Sequence, residues 1–381
     1  MTEQADVVII GGGPVGAALA LALADTGMSL KLLEARNMPA GDRRPLALSY
    51  GSRLILESLG AWGGLHAPTP IEAIHVSQSG GFGRVMLTAR EVQLPALGYV
   101  VDYADLHAAL IDALAGALRP TGGARVLGVS PREGAAVVSF EAGGAQHALG
   151  ARLVAVADGG ALPGIAPSRM SDYGQSAVVA MVTSELPHRH MAFERFTPEG
   201  PLALLPSGEH IAVVWTTAPK RAADLCALDE RAFCAQLVRG FGARLGAFRS
   251  ASARASVPLA LRVANRDALP ATVLLGNAAQ TLHPVAGQGF NLGLRDAWEL
   301  ADEIRRWGPN AIGSRPMLDA YRRRRRLDRG GGIGFTHSLV RLFSNDIAPL
   351  RAARGIGLTL LGCVPPARDY VARRMIFGSR A

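Results

Sequence analysis

The sequence predicts an α/β fold in which a nucleotide-binding unit on a parallel sheet is interrupted by a mostly antiparallel sheet and followed by C-terminal helices. Three observations predict it: a strand, glycine turn and helix at the start, a run of short alternating strands over 177–218, and a return to buried-strand texture at Thr272–Leu275. Asp6–Ile10 (DVVII) is the β-branched run of a strand buried on both faces. Gly11-Gly12-Gly13-Pro14-Val15-Gly16 then opens an Ala- and Leu-rich helix, Ala17–Thr26, which Gly27 stops. A second strand, Ser29–Leu33, ends at Glu34, so a G-x-G-x-x-G motif lies between strand and helix of a Rossmann-like βαβ unit. Tyr103–Leu118 reads as a helix, and Ala124–Ser130, Val137–Phe140 and Arg152–Ala157 read as strands, the last running into Asp158-Gly159-Gly160. Ala177–Thr183, Met191–Phe196, Pro201–Leu205 and Ile211–Thr217 alternate with turn residues and read as the antiparallel sheet. Ala223–Phe248 reads as helical; after Thr272–Leu275 a Gly-rich loop leads into a helix from Asn291 to about Trp307. The nucleotide-binding domain is accordingly expected at 1–72, 100–175 and 255–314, the sheet domain at 73–99 and 176–254, and a basic helical region at 315–381.

With 49% hydrophobic and 19% charged residues, the 381-residue chain is too apolar and too sparsely charged to be disordered. No run approaches the ~20 apolar residues of a membrane-spanning helix. Glu3 and Asp6 stand where a secretory signal would be basic. Cys226, Cys234 and Cys363 form no C-x-x-C, so a reduced, cytoplasmic setting is expected. The net charge of +9 is uneven: Arg315–Ala381 holds fourteen Arg against four Asp, a local +10, and the rest is nearly neutral. Such a region suits an anionic surface, whether lipid head groups, acidic protein or nucleic acid, but no aromatic interleaving accompanies the charge as nucleic-acid binding would require.

In the first glycine cluster, Gly11 permits the tight turn, Gly13 lets the backbone approach a pyrophosphate, and Gly16 lets the helix pack against the strand. The helix N-terminus supplies free N–H groups and partial positive charge for the phosphates. Glu34, eighteen residues after Gly16, sits where a carboxylate binds ribose hydroxyls, which favours the unphosphorylated ribose of FAD or NAD over NADP. A second segment, VLLGNAAQTLHPVAGQGFNLGLRD from Val273 to Asp296, is a strand, a small-residue turn, a Pro/Gly loop and a helix start. Gly287 and Gly289 free its backbone to approach a flat ring, and the positive end of the Asn291 helix would stabilise negative charge there.

Together, GGGPVG, LLEAR, VAVADGG and GNAAQTLHPVAGQGFNLGLRD resemble the class A flavoprotein aromatic hydroxylases, and within them the ubiquinone-biosynthesis hydroxylases. The likeness runs nearly end to end and includes RPLALSYGSRLILESLG and FERFTPEGPLALLP. It implies an FAD-binding domain of the glutathione-reductase type, interrupted by a substrate-binding sheet domain. Gly11, Gly13 and Gly16 would then hold the FAD pyrophosphate and Glu34 the adenosine ribose, while Asp158 and Gly159 match an element tied to both FAD and the NAD(P)H path. Gly276 and Asn277 fall at the ribitol position and Pro284, Gly287, Gln288 and Gly289 along the isoalloxazine, with Asn291 a further cofactor-binding residue. Asn277 replaces the usual Asp and Gln280 the usual His; Asn keeps a carbonyl acceptor for a ribitol hydroxyl.

The implied reaction uses NADH or NADPH to reduce the flavin and O2 to form a C4a-hydroperoxide, whose distal oxygen passes to an electron-rich phenol. The GNAAQ variant points to a polyprenylated phenol, 2-polyprenyl-6-methoxyphenol. The alternatives are a hydroxylase of a soluble aromatic acid and a flavin-binding subunit of a quinone-synthesis complex with little turnover. Partners implied are the phenol, an anionic membrane surface and other quinone-biosynthesis enzymes, with no nucleic acid and no metal; a cytoplasmic protein peripheral to the inner membrane is expected. His283, Pro284 and Gln288 are the candidates for lining the flavin where chemistry occurs, although His283 also reads as an ordinary loop histidine. His188 and His190 read as solvated. Arg43 and Arg44 suit either FAD phosphate contact or a solvated loop. Arg322–Arg326 reads as a solvated helix face, because five consecutive arginines wrap around a helix. The apolar stretches Ile333–Val340 and Ile356–Val364 suit either an interfacial amphipathic helix or packing on the FAD domain.

Overall fold

The structure, a computed structural model, describes residues 3–36, 44–160, 162 and 164–378; Arg43 and Arg380 lie outside the described residues. The first sheet has the order Ala268–Leu269, Thr272–Leu274, Ala145–Val156, Glu3–Ile10, Leu30–Glu34 and Thr121–Gly122. Its central strands run parallel, with Ile10 opposite Val156 on one side and Leu33 on the other. Being covered on both faces, Val7, Val8 and Ile9 are fully buried, which is why that strand is apolar without alternation. Arg125–Arg132 and Ala135–Ala142 extend the sheet as an antiparallel meander.

Helix α1 (Pro14–Leu23) starts three residues earlier than the sequence suggests, because Pro14 is admissible at the first helical position and Gly13 serves as the N-cap. Helices α2 (Tyr50–Ser58) and α3 (Tyr103–Leu114) are capped by Ser49 and Asp102, whose side chains accept backbone N–H groups. Pro45–Ser49, Gly98–Asp102 and Thr69–Ile71 form a small third sheet.

The second sheet has the order Gln280–Thr281, Ala255–Ala264, Ser168–Ser184, His210–Thr217, Gly200–Ser207, Met191–Thr197, Ala73–Gln78 and Arg84–Thr88. All pairs are antiparallel except Met191–Thr197 with Ala73–Gln78. The long strands Ser168–Ser184 and Ala255–Ala264 pair with each other and carry this sheet beyond the expected 176–254 span on both sides. Ala223–Phe248 is not one helix. It divides into α4 (Pro219–Ala227) and α5 (Glu230–Phe241), since Asp229 caps α5 by accepting from the Ala232 N–H at 2.7 Å. Gly242, at φ +96°, then ends α5, and Phe248 opens a strand. Both helices pack on the sheet face that bears Val178, Leu202, Leu204 and Trp215, leaving the opposite face free to roof a cavity.

The chain closes with α6 (Gln288–Trp307), α7 (Arg315–Phe343), α8 (Ala348–Cys363) and α9 (Pro365–Phe377). The arginine run is a solvated face only in part: Arg322, Arg323 and Arg326 are exposed. Arg325 is 2% exposed and donates to Asp296 at 2.8 Å and Asp328 at 2.6 Å. Arg324 pairs with Glu299, Asp302 and Glu303, and Arg322 and Arg329 with Asp267. The run wraps around the helix, so Arg324 and Arg325 meet carboxylates of α6 and Arg322 meets Asp267, while Arg323 and Arg326 face solvent.

Candidate active site

One cavity of about 1340 Å³ is lined by the Gly-rich turns of the first sheet, the free face of the second and the inner sides of α7–α9. Every expected cofactor residue among Gly11, Gly13, Glu34, Arg44, Asp158, Gly159, Gly276, Asn277, Gly287, Gln288, Gly289 and Asn291 lines it, as do His283 and Pro284. Gly16 does not. A Cβ there would lie 1.9 Å from the Gly11 carbonyl oxygen, so Gly16 clamps α1 to the turn and shapes the site indirectly.

At the phosphate end, Gly11 has φ +100° and an added Cβ would meet Ala157 O at 2.6 Å, so only glycine serves. Gly13 differs: its φ is −63°, and the nearest protein atom to an added Cβ is Tyr103 Oη, 3.8 Å away. The room beside Gly13 is thus room in the cavity. Helix α1 has neither a side-chain cap nor an acidic residue in its first turn, which leaves its leading N–H groups for an anion. Glu34 braces the turn by accepting from Gly12 N at 2.6 Å and Arg36 N at 2.7 Å, and a carboxylate has further lone pairs for ribose hydroxyls. His107 and Tyr103, which the sequence motifs do not single out, also stand here. His107 Nε2 donates to Gly12 O at 2.7 Å, and the Arg44 guanidinium stacks 4.3 Å above the Tyr103 ring.

Against the Gly11 turn, Asp158 accepts from Gly160 N at 2.8 Å and from Leu162 N, closing a turn that holds Gly159 at φ +74° with open space beside it. Asp296 Oδ2 accepts from Gly276 N at 3.1 Å and from Gln280 Nε2 at 2.8 Å, while Oδ1 receives Arg325. The unusual Gln280 therefore ties the 276–280 turn to α6. Asn291, 2% exposed, lies one turn inside α6; its side chain makes four protein hydrogen bonds, to Ser49 N, Ser52 Oγ, Ala47 O and Gly287 O. With its amide occupied in this way, Asn291 clasps the 45–49 strand to the Gly287 loop. Asn291→Ala should leave those buried groups unpaired and weaken FAD retention by at least about tenfold, measured by flavin release on dilution.

His283 is 1% exposed, and burial lowers its pKa to about 4, so it stays neutral at ordinary pH. Its Nδ1 accepts from Val285 N at 3.1 Å, which places the proton on Nε2. The ring meets Tyr173 edge-on at 5.3 Å, and Tyr173 Oη lies 3.2 Å from His337 Nδ1. Across the cavity, Ala192, Glu194 and Phe196 of Met191–Thr197 line the roof. Glu194 is opposite Val76 on one neighbouring strand and Ala203 on the other, its Oε1 is covered and without a partner, and burial raises its pKa to about 8.

These residues fit FAD. Gly13, Gly159 and Gly289 each leave cavity space that a Cβ would fill, beside an uncapped helix N-terminus and a ribose-competent carboxylate. Bound there, FAD supplies hydride acceptance and O2 activation; the protein supplies the cradle and the dry roof.

Known proteins similar to this chain point to the same cofactor. The family described as FAD binding domain matches residues 4–329. A ubiquinone hydroxylase of Rhodospirillum rubrum is 37% identical, with 97% of this chain and 89% of that protein covered. A 3-demethoxyubiquinol 3-hydroxylase of Escherichia coli is 33% identical over 94% of this chain and 95% of that protein. Among solved structures, p-nitrophenol 4-monooxygenase of Pseudomonas putida shares the fold with a TM-score of 0.79 over the whole of both chains, at 17% identity.

Proposed function

The chain belongs to the FAD-binding flavoprotein monooxygenases, and from that premise we propose that it hydroxylates the ring of a polyprenylated phenol, 2-polyprenyl-6-methoxyphenol or a close relative, in ubiquinone biosynthesis. NADH or NADPH is the electron donor and O2 the co-substrate. The observation that carries the reading is the continuity of the cavity: it runs from the α1 turn past the His283–Gly289 loop into an apolar chamber. Val85, Leu87, Leu205 and Val214 of the roof line that chamber, together with Leu339 and Leu361 of the C-terminal helices. Such walls exclude water from an oxygen-transfer site and accept an isoprenoid tail. Gly11, Gly13 and Glu34 would hold the adenylate half of FAD, and Gly276, Asn277, Gly287 and Gly289 the ring half. A strain lacking this protein should accumulate the polyprenyl-methoxyphenol, and profiling its quinone intermediates tests the substrate; an unchanged profile contradicts it.

The substrate's lipid character gives the C-terminal helices a second role, docking at an anionic membrane. Among the described residues, no helix is long and apolar enough to cross a membrane. Ile356 and Leu360 of α8 and Val364 just past its end recur every fourth residue and are exposed, whereas Leu358 and Leu361 of the same helix line the cavity. Arg341 and Arg373 are exposed nearby in sequence. Basic residues beside an anionic leaflet contribute roughly 1 kcal/mol each before screening. A variant with Ile356 and Leu360 changed to Ser and Arg341 and Arg373 to Gln should lose co-sedimentation with anionic vesicles. Binding of the unaltered protein should weaken with salt. Equal sedimentation of both forms would leave these helices as packing alone.

A further inference from the structure

We propose that Glu194 grips the ring hydroxyl of the phenol, so that this one carboxyl orients the substrate and selects a phenol over its ether. The inference rests on the phenol reading above and adds the residue that recognises it. Among the described cavity-lining residues of the strands Ala73–Gln78, Arg84–Thr88, Met191–Thr197, Gly200–Ser207 and His210–Thr217, Glu194 alone carries a polar side chain. Its flanking residues on the same face, Val76 and Ala203, are apolar, and its Oε1 is covered without any hydrogen-bond partner. A carboxyl costs stability in such a wall unless something pairs with it. Glu194 as a whole is only partly buried and lines the cavity, so a bound ligand can supply the partner that its carboxyl lacks. A phenol fits the vacancy in the hydrogen bonding because its hydroxyl both donates and accepts, and a neutral carboxyl does the same in return.

The surrounding charges leave Glu194 to this task. Arg195, next on the strand, turns to the other face and donates to Gly240 O at 3.1 Å. His75 packs on that other face against Phe193, and Arg84 and Arg244 act on His75, not on Glu194. Arg354 of α8 lines the cavity, but its guanidinium caps α7 by donating to Leu342, Phe343 and Asn345 carbonyls. His283, from the flavin loop, is neutral. Burial alone thus keeps the Glu194 carboxyl protonated up to about pH 8.

The test uses FAD-loaded enzyme, 2-methoxy-6-prenylphenol and the methyl ether of that phenol, with binding read from the flavin spectrum. The unaltered enzyme should bind the phenol at least about tenfold tighter than the ether. Glu194→Leu should bring the two affinities within about twofold, whereas Glu194→Gln, which still donates and accepts, should keep most of the preference. The Leu variant should remain yellow. Its melting temperature should rise more at about pH 8.5 than at about pH 5, because a carboxyl with a raised folded pKa destabilises the fold increasingly as pH climbs toward that value. The unaltered enzyme gives an independent reading: phenol affinity should change between about pH 7 and about pH 9 and ether affinity should not, a difference that Glu194→Gln abolishes. A retained tenfold preference in Glu194→Leu, or a pH-independent phenol affinity, overturns the role of Glu194 while hydroxylation of the phenol by the unaltered enzyme upholds the wider reading. If the unaltered enzyme neither binds nor hydroxylates the phenol, both fall together.

Discussion

Gly13→Val is expected to give a folded but colourless protein, and Gly16→Val to give little folded protein at all. The two glycines are three residues apart in one motif, yet they meet different surroundings. At Gly13 the backbone is extended and an added side chain touches nothing of the protein nearer than 3.8 Å. It would instead fill the space before the α1 N-terminus, where the pyrophosphate is proposed to lie. Flavin content should fall by at least about a hundredfold in affinity with only a small loss of stability, since clashes with a ligand leave the empty fold untouched. At Gly16 the same substitution drives a carbon to 1.9 Å from a backbone oxygen, which cannot move without dismantling the turn. Far-ultraviolet circular dichroism and flavin absorbance of both variants check this pair. A yellow Gly13→Val protein would contradict the assigned phosphate site.

Arg325→Met is expected to destabilise the protein by about 3–5 kcal/mol, the usual consequence of removing one partner from a buried ion pair. Arg325 joins Asp296 to Asp328, and Arg295 donates to the same Asp328 Oδ2 at 2.8 Å. Without Arg325, the buried Asp296 that holds Gly276 N and Gln280 loses its cationic partner, so the turn at the flavin's proposed ribitol position loosens as well. Denaturant unfolding should show the loss of stability, and FAD should dissociate faster. Arg326→Gln, one residue away on the exposed side, should stay within about 0.5 kcal/mol of the unaltered protein. Equal behaviour of the two variants would show that the arginine run is solvated after all.

The glycine motif was legible because its demands are local: a turn with positive φ and a close helix crossing admit only glycine, whatever the rest of the chain does. The strands were legible from β-branched runs and alternation. Arg325 was not, because its burial depends on Asp296 and Asp328 meeting it across two helices; the acids Asp296, Glu299 and Glu303, spaced along one side of α6, were the available signal. The break between α4 and α5 turned on one cap, Asp229, inside a stretch of good helix formers. Asn291 lines the cavity from α6, but only the fold reveals that its amide faces Ala47, Ser49 and Ser52 from about 240 positions away. Glu194 stood in plain view between Phe193 and Arg195. Which of the three faces the cavity is set by strand register, and a shift of one residue would have turned the carboxyl outward.

The account stands or falls most directly on oxygen transfer. FAD-loaded enzyme supplied with NADH or NADPH, isotopically labelled O2 and 2-methoxy-6-prenylphenol should oxidise the nicotinamide faster when the phenol is present. It should yield a ring-hydroxylated product carrying one labelled oxygen. A yellow protein whose nicotinamide oxidation ignores the phenol, and which forms no labelled product, would contradict the account and leave a flavin-binding subunit in its place.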